Sequence, residues 1–341
     1  MNDFDYLLQL PGEEREREWI RARLETLTAR ENILLTAATQ KQSPQNTVEA
    51  INQIESLVLY WAACNTGSLE QLGEYYMKEC CKMPEAALPF TDLTKVGSYF
   101  ADRNPGQFIG DFYVTDPEFT SKPAYHGPSD PLPDDGVWGF KLKLASPAVP
   151  EGVWMRLPGM DCAGNIVFIE EDVTKHVLQV QDWDECSLLD AQCILPGISA
   201  QDLMERYGST AELVEDSFSL SRALLYEWTS PSARYTAALE LENCHDLKLA
   251  LDIFHNLDCY DWVPLAEQKT LAQKALTDAR IPEELIASGA IDLDRYGAQM
   301  LKEQGYTLAA DESGYITRNS QEFQHYFSTP TSEQSGMMMQ Y

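Results

Sequence analysis

The chain has 341 residues, 44% of them hydrophobic, with 7 Trp and 16 Tyr, which excludes a disordered acidic tail. Its 54 Asp and Glu against 25 Lys and Arg leave a net charge of −29. A surface that acidic argues against binding DNA, RNA or anionic membranes and fits a basic cleft on another protein.

In chain order, a helix is predicted after Pro11, where Glu13 and Arg17 lie one turn apart and Leu10, Trp19, Ile20, Leu24 and Leu27 supply an apolar stripe. Capping boxes open a second helix at Asn46-Thr47-Val48-Glu49 and a third at Ser68-Leu69-Glu70-Gln71. Pro117, Pro123, Pro128, Pro131 and Pro133 then mark residues 116–136 as a linker. Beyond it the period becomes two, so strands are expected at Trp138–Leu144, Val153–Leu157 and Ile166–Ile169. Helices return at Gln201–Tyr207 and from Ser209, then over Ala237–Asn256 and Leu265–Ala279. The fold class is therefore α+β, built of several small modules: a helical module over 1–115, the linker, a strand-rich region over 137–235, a helical region over 236–320 and a flexible tail over 321–341. Trp138, Trp154, Leu157, Ile166, Phe168, Leu251, Phe254, Leu257, Leu293 and Tyr315 are the expected core.

An internal echo runs at an offset near 200. Ala50, Ile51, Ile54, Leu57 and Tyr60 face Ala250, Leu251, Phe254, Leu257 and Tyr260. Pro84-Glu85, Asp92-Leu93, Gly97 and Tyr113-Val114-Thr115 then face Pro282-Glu283, Asp292-Leu293, Gly297 and Tyr315-Ile316-Thr317. Apolar periodicity alone would align two helices. Four matched landmarks in order favour a repeated module over residues 50–115 and 250–317.

The residues that carry chemistry are few. His126, His176, His245, His255 and His325 match no HExxH or nucleophile motif, and there is no GxGxxG or P-loop. The 8 cysteines show no CxxC and are expected as reduced thiols; Cys80-Cys81 is expected as ordinary packing. No apolar run of about 18 residues exists, and Met1–Asp5 lacks the basic start of a secretory signal. The expectation is a cytoplasmic protein that uses no cofactor or metal and is not an enzyme. Carboxylates are another matter. From Glu170 to Asp261 there are 19 acidic and 5 basic residues, grouped as Glu170-Glu171-Asp172, Asp182/Asp184/Glu185, Glu212/Glu215/Asp216 and Asp258/Asp261. For any one group a solvated face suffices; for the set, carboxylates standing in for DNA phosphates explain more. A metal site would need three or more of them around one ion.

The stretch from Trp154 onward resembles the ArdA antirestriction family of plasmids and conjugative transposons. The resemblance rests on Gly152–Pro158, Ile198–Val214 with Tyr207-Gly208-Ser209 and Glu212-Leu213, Ala237–Pro264 with Leu257–Asp261, Ile281-Pro282-Glu283, Ile291–Gly297 and Gly314-Tyr315-Ile316. It covers about residues 137–320, leaving 1–130 as an addition to a family whose members are usually about half this length. Ala298-Gln299-Met300 stands where the family usually has Arg-Asp-Leu. The resemblance implies an elongated, often dimeric DNA mimic that fills the DNA-binding groove of type I restriction–modification enzymes and binds no nucleic acid or membrane itself. The carboxylates above would make that contact. The rival expectation is a non-enzymatic regulatory protein of a mobile element with this fold but without antirestriction activity.

Overall fold

The computed structural model describes residues 4–116, 124–135, 138–159, 169–195, 197–227 and 232–329. The chain divides into two compact units, Met1–Ala191 and Gln192–Tyr341.

In the first unit α1 (Glu14–Glu25), α2 (Ala29–Lys41) and α3 (Thr47–Glu55) precede β1 (Trp61–Ala63). Helices α4 (Leu69–Tyr75) and α5 (Leu93–Arg103) lead to β2 (Gly106–Ile109) and β3 (Phe112–Thr115). These strands form an antiparallel sheet in the order β1-β3-β2. A second sheet comes next, with β4 (Phe140–Ala145) and β5 (Val153–Leu157) antiparallel, then α6 (Ile169–Leu178), and β6 (Ser187–Cys193) as the third strand beside β4. Helix α2 starts in a capping box, in which Thr28 Oγ1 accepts from the Glu31 amide and Glu31 accepts from the Thr28 amide. It touches the first sheet on one side and β5 and α6 on the other, which is why Leu34, Leu35, Ala37 and Ala38 are all buried.

The second unit continues with α7 (Ala200–Arg206), α8 (Thr210–Glu227), α9 (Ala233–Leu241), α10 (Leu247–His255), β7 (Tyr260–Pro264), α11 (Gln268–Asp278), α12 (Glu283–Ala287), α13 (Leu293–Glu303), β8 (Thr307–Leu308) and β9 (Gly314–Arg318). Its sheet is antiparallel in the order β7-β9-β8. Mixed helices and small sheets make the protein α+β. Among the described residues no helix is long and apolar enough to cross a membrane.

The stretches 50–115 and 250–317 share one element order, one strand order and one register. Trp61, Ala62 and Ala63 pair with Thr115, Val114 and Tyr113; Asp261, Trp262 and Val263 pair with Thr317, Ile316 and Tyr315. Gln107 and Phe108 stand against Val114 and Tyr113 as Thr307 and Leu308 stand against Ile316 and Tyr315. Asn46 and Asp246 cap α3 and α10; Asp92 and Asp292 cap α5 and α13. The likeness extends beyond the echoed residues. The guanidinium of Arg30 donates to the Tyr60 carbonyl, and that of Arg234 to the Tyr260 carbonyl. After the last strand each module sends its chain back over its own helix. Asn52 holds both backbone groups of Tyr125 (2.7 and 3.0 Å), and Asn256 holds both of Gln324 (2.9 and 2.8 Å).

Several expectations are corrected. The division into two compact units falls after Ala191, inside the region expected over 137–235, where the expectation put a division at 116–136. The described part of the expected linker is packed: Tyr125 is buried with its hydroxyl donating to Glu16 Oε1 at 2.8 Å, and Trp19 Nε1 donates to the Pro133 carbonyl at 2.8 Å. Its prolines remove donors, but side chains supply the pairing instead. Residues 319–329 likewise pack on α10 instead of forming a flexible tail; residues 330–341 lie outside the described residues. The single helix expected over Ala237–Asn256 is two, because Asn243 adopts φ 47° after α9 and Asp246 recaps the chain at α10. Ile166 and Phe168 lie outside the described residues, and Ile169 opens α6 where a strand was expected. Of the expected core, Trp154, Leu157, Leu251, Leu293 and Tyr315 are buried, while Trp138, Phe254 and Leu257 are half-buried.

Candidate functional site

The eleven carboxylates expected to face a partner occupy three kinds of environment. Asp172, Asp182, Asp184, Glu185, Glu212, Glu215, Asp258 and Asp261 are exposed, Glu171 and Asp216 are half-buried, and Glu170 is 4% exposed. Glu170 therefore cannot stand in for a phosphate. Burial pushes its carboxyl up despite Arg30 nearby, as expected for a charge enclosed between α2 and α6. Asp182 and Glu185 form a capping box around one helical turn: Asp182 accepts from the Asp184 amide at 3.0 Å, and Glu185 accepts from the amides of Gln181 and Asp182, each at 2.9 Å. Those amides hold the Glu185 carboxyl below its usual range.

In the second unit the Ser209 hydroxyl caps the start of α8 and so sets where Glu212, Glu215 and Asp216 project. Glu212 pairs with Lys248, and Asp216 accepts from the Tyr207 hydroxyl at 2.8 Å. Burial, then that hydrogen bond, pushes the Tyr207 phenol far up. Glu215 remains exposed, and the Asn319 amide holds Asp261 at 3.1 Å beside the exposed Asp258. Two of the four groups thus sit on capped helical turns, at Asp182–Glu185 and at the start of α8, while Asp261 lies on the edge strand β7.

A buried charge cluster went unread in the sequence. Lys141 on β4 and Arg156 on β5 are direct cross-strand neighbours, an unfavourable pair by itself. Glu31 and Asp135 resolve it. Arg156 Nη2 lies 3.0 Å from Glu31 and 3.3 Å from Asp135; Arg23 reaches Glu31 at 3.1 Å and also pairs with Asp135, as does Lys141. Burial alone would raise the Glu31 carboxyl, but Arg156 and Arg23 outweigh it and hold it at about 2. Alternation in Phe140–Leu144 implied a solvent face for Lys141, yet its side chain is fully buried, because Asp135 closes over that face. The signal was the adjacent Asp134-Asp135 at the end of a proline-rich segment. Glu55 lies nearby; burial, with Asp134 and Asp135 adding to it, raises its carboxyl to about 7 against Arg23.

The histidines are dispersed. His126 pairs with Asp130, His245 meets the Gly197 carbonyl, His176 lies 3.7 Å from Asp111, and His255 stacks on Phe327. His325 Nδ1 is 2.9 Å from Ser328 Oγ, and Ser328 Oγ donates to Asp252 Oδ2 at 2.6 Å. This is not a nucleophile triad, since the carboxylate binds the serine instead of orienting the imidazole. Asp252 is fully buried and also accepts the amides of Tyr326, Phe327 and Ser328, so the trio fixes a turn. Among the described residues no group of three or more His, Cys, Asp or Glu is placed to hold a metal ion, and the seven described cysteines of the eight are free thiols. The cavities among the described residues include one of about 580 Å³ beside α4 and α6 in the first unit and one of about 400 Å³ between α9 and β8 in the second.

Fold and site together define an acidic α+β protein with a repeated module, its carboxylates divided between surface turns and a buried cluster. No protein-family model matches this chain, and neither does any curated protein or solved structure.

Proposed function

We propose that the protein is an ArdA-like DNA mimic that occupies the DNA-binding groove of a type I restriction–modification enzyme, without catalysis, cofactor or direct nucleic-acid binding. One observation carries the reading: exposed carboxylates on the capped turns at Asp182–Glu185 and at the start of α8, in a chain of net charge −29. A mimic needs anions at held positions, because an interface that must first order its side chains loses affinity to that ordering. The resemblance over residues 137–320 supplies the partner.

The test is a cleavage assay with a type I enzyme. Inhibition is expected, and it should weaken as salt rises, because the attraction is between exposed charges. Glu215→Lys with Asp258→Lys should reduce potency with little loss of fold, since both side chains are exposed. Equal potency would remove these two from the interface. The rival, a regulatory protein of a mobile element, gains from the burial of Glu170 and the partnered state of Asp216. It becomes the better account if no type I enzyme is inhibited.

A further inference from the structure

The two modules provide an internal comparison, and they differ at the helix after the first strand. In the C-terminal module α11 runs regularly from Gln268 to Asp278. In the N-terminal module the matching α4 widens after Tyr75 into a π-helical turn, Tyr76–Cys80, in which the Cys81 amide reaches back to the Tyr76 carbonyl at 3.0 Å. Single π turns interrupt helices mostly at functional sites. This one forms part of the wall of the cleft of about 580 Å³, a volume within the range of small-ligand sites. The opposite wall is α6, which comes after the repeated module and lies outside it.

We propose that this cleft binds a single organic cation, a guanidinium or alkylammonium group, against Asp172 and the ring of Tyr75. Two lysines and a histidine also line the cleft, but each already has a neighbour. Lys78 meets Glu74 at 2.6 Å, Lys175 Nζ lies 4.8 Å from the Trp183 ring, and His176 lies 3.7 Å from Asp111. Asp172 is exposed on the wall and makes none of the ion pairs among the described residues. Tyr75 packs on Trp61 with ring centroids 5.6 Å apart, a rigid aromatic surface of the kind that holds cations. The local field agrees. Burial and then Asp172 push the Cys64 thiol up to about 11, and burial with Cys80, Glu79, Cys64 and Asp172 pushes the Tyr75 phenol up to about 12. The thiol and phenol stay protonated, so they offer hydrogen bonds and no nucleophile. The inference stands on the first unit alone and does not require the DNA-mimic reading.

The test is calorimetric titration of the full chain with N-acetyl-arginine amide and, separately, with putrescine. The arms distinguish a protein-borne guanidinium from a free polyamine. Saturable one-to-one binding of either cation is expected, weakened at least tenfold by Asp172→Asn. Tyr75→Ala should weaken it too. Since any cation will gather around so acidic a chain, Glu283→Gln with Glu284→Gln is the control: it removes two exposed charges in the other unit and should leave binding unchanged. The proposal is overturned if neither cation saturates, if Asp172→Asn binds as the wild type does, or if the control loses as much as Asp172→Asn.

Discussion

Asp252 and Glu55 show how the same side-chain chemistry can be satisfied or strained within one chain. The Asp252 carboxylate accepts three backbone amides and the Ser328 hydroxyl while fully buried, which anchors residues 325–328 on α10. Asp252→Ala would leave those donors unmatched, a loss of about 2–4 kcal/mol for several charge-assisted bonds. Denaturant unfolding should register it, and amide exchange at Tyr326–Ser328 should accelerate; unchanged exchange there would contradict the anchoring role. Glu55 is the opposite case. Its carboxyl is raised to about 7 from 4.5, so the folded state binds the proton more tightly than the unfolded state, and stability falls as pH rises from about 4.5 to 7. Glu55→Gln should flatten that decline and leave the variant more stable than wild type above pH 7, by about 1–2 kcal/mol after allowing for solvent screening of a partly exposed group. Glu31 works in reverse: held at about 2, it contributes stability above pH 4.5 that is lost as pH falls toward 2. Melting curves between pH 2 and 8 on wild type and Glu55→Gln separate the two; parallel curves would show that Glu55 titrates normally.

At the scale of elements, the repeat depends on close helix crossings. A Cβ on Gly97 would lie 1.9 Å from the Leu69 carbonyl oxygen, and one on Gly297 would lie 2.6 Å from that of Gln268, so α5 on α4 and α13 on α11 cross at the same echoed glycine. An exposed helical Gly→Ala change is ordinarily stabilising by about 0.5–1 kcal/mol. Here the sign should reverse, with Gly97→Ala costing about 1–3 kcal/mol or more and Gly297→Ala somewhat less, because backbone must move apart. Gly208, with open space around it, is the control. Thermal melts of the three variants check this, and a stabilising Gly97→Ala would contradict the crossing geometry. The landmarks were legible because caps and close crossings demand particular residues: Asp at 92 and 292, Gly at 97 and 297. The return of the chain after each module's last strand was not legible. Tyr125 and Gln324 are held by side chains of Asn52 and Asn256, distant pairings that no local period records. Charge misled for the same reason. Glu170 and Lys141 read as solvent-facing in their own segments, and only α2 and Asp135, brought from elsewhere, bury them. The exposed Glu215 and Asp258 needed no such partner, so local reading sufficed for them.

For the molecule as a whole the governing quantity is the net charge of −29, to which the second unit contributes 23 Asp and Glu against 10 Lys and Arg. Self-repulsion of that size destabilises a compact chain, so a partner of opposite charge is its simplest physical rationale. The most direct test is displacement of a labelled duplex from a type I restriction–modification enzyme, monitored by fluorescence anisotropy between about 50 and 200 mM salt. The account predicts full competitive displacement, with apparent affinity falling at least about tenfold across that range. It also predicts that Glu215→Lys with Asp258→Lys displaces less DNA while melting as the wild type does. A duplex that stays bound at saturating protein, or displacement indifferent to salt and to the reversal, would contradict it.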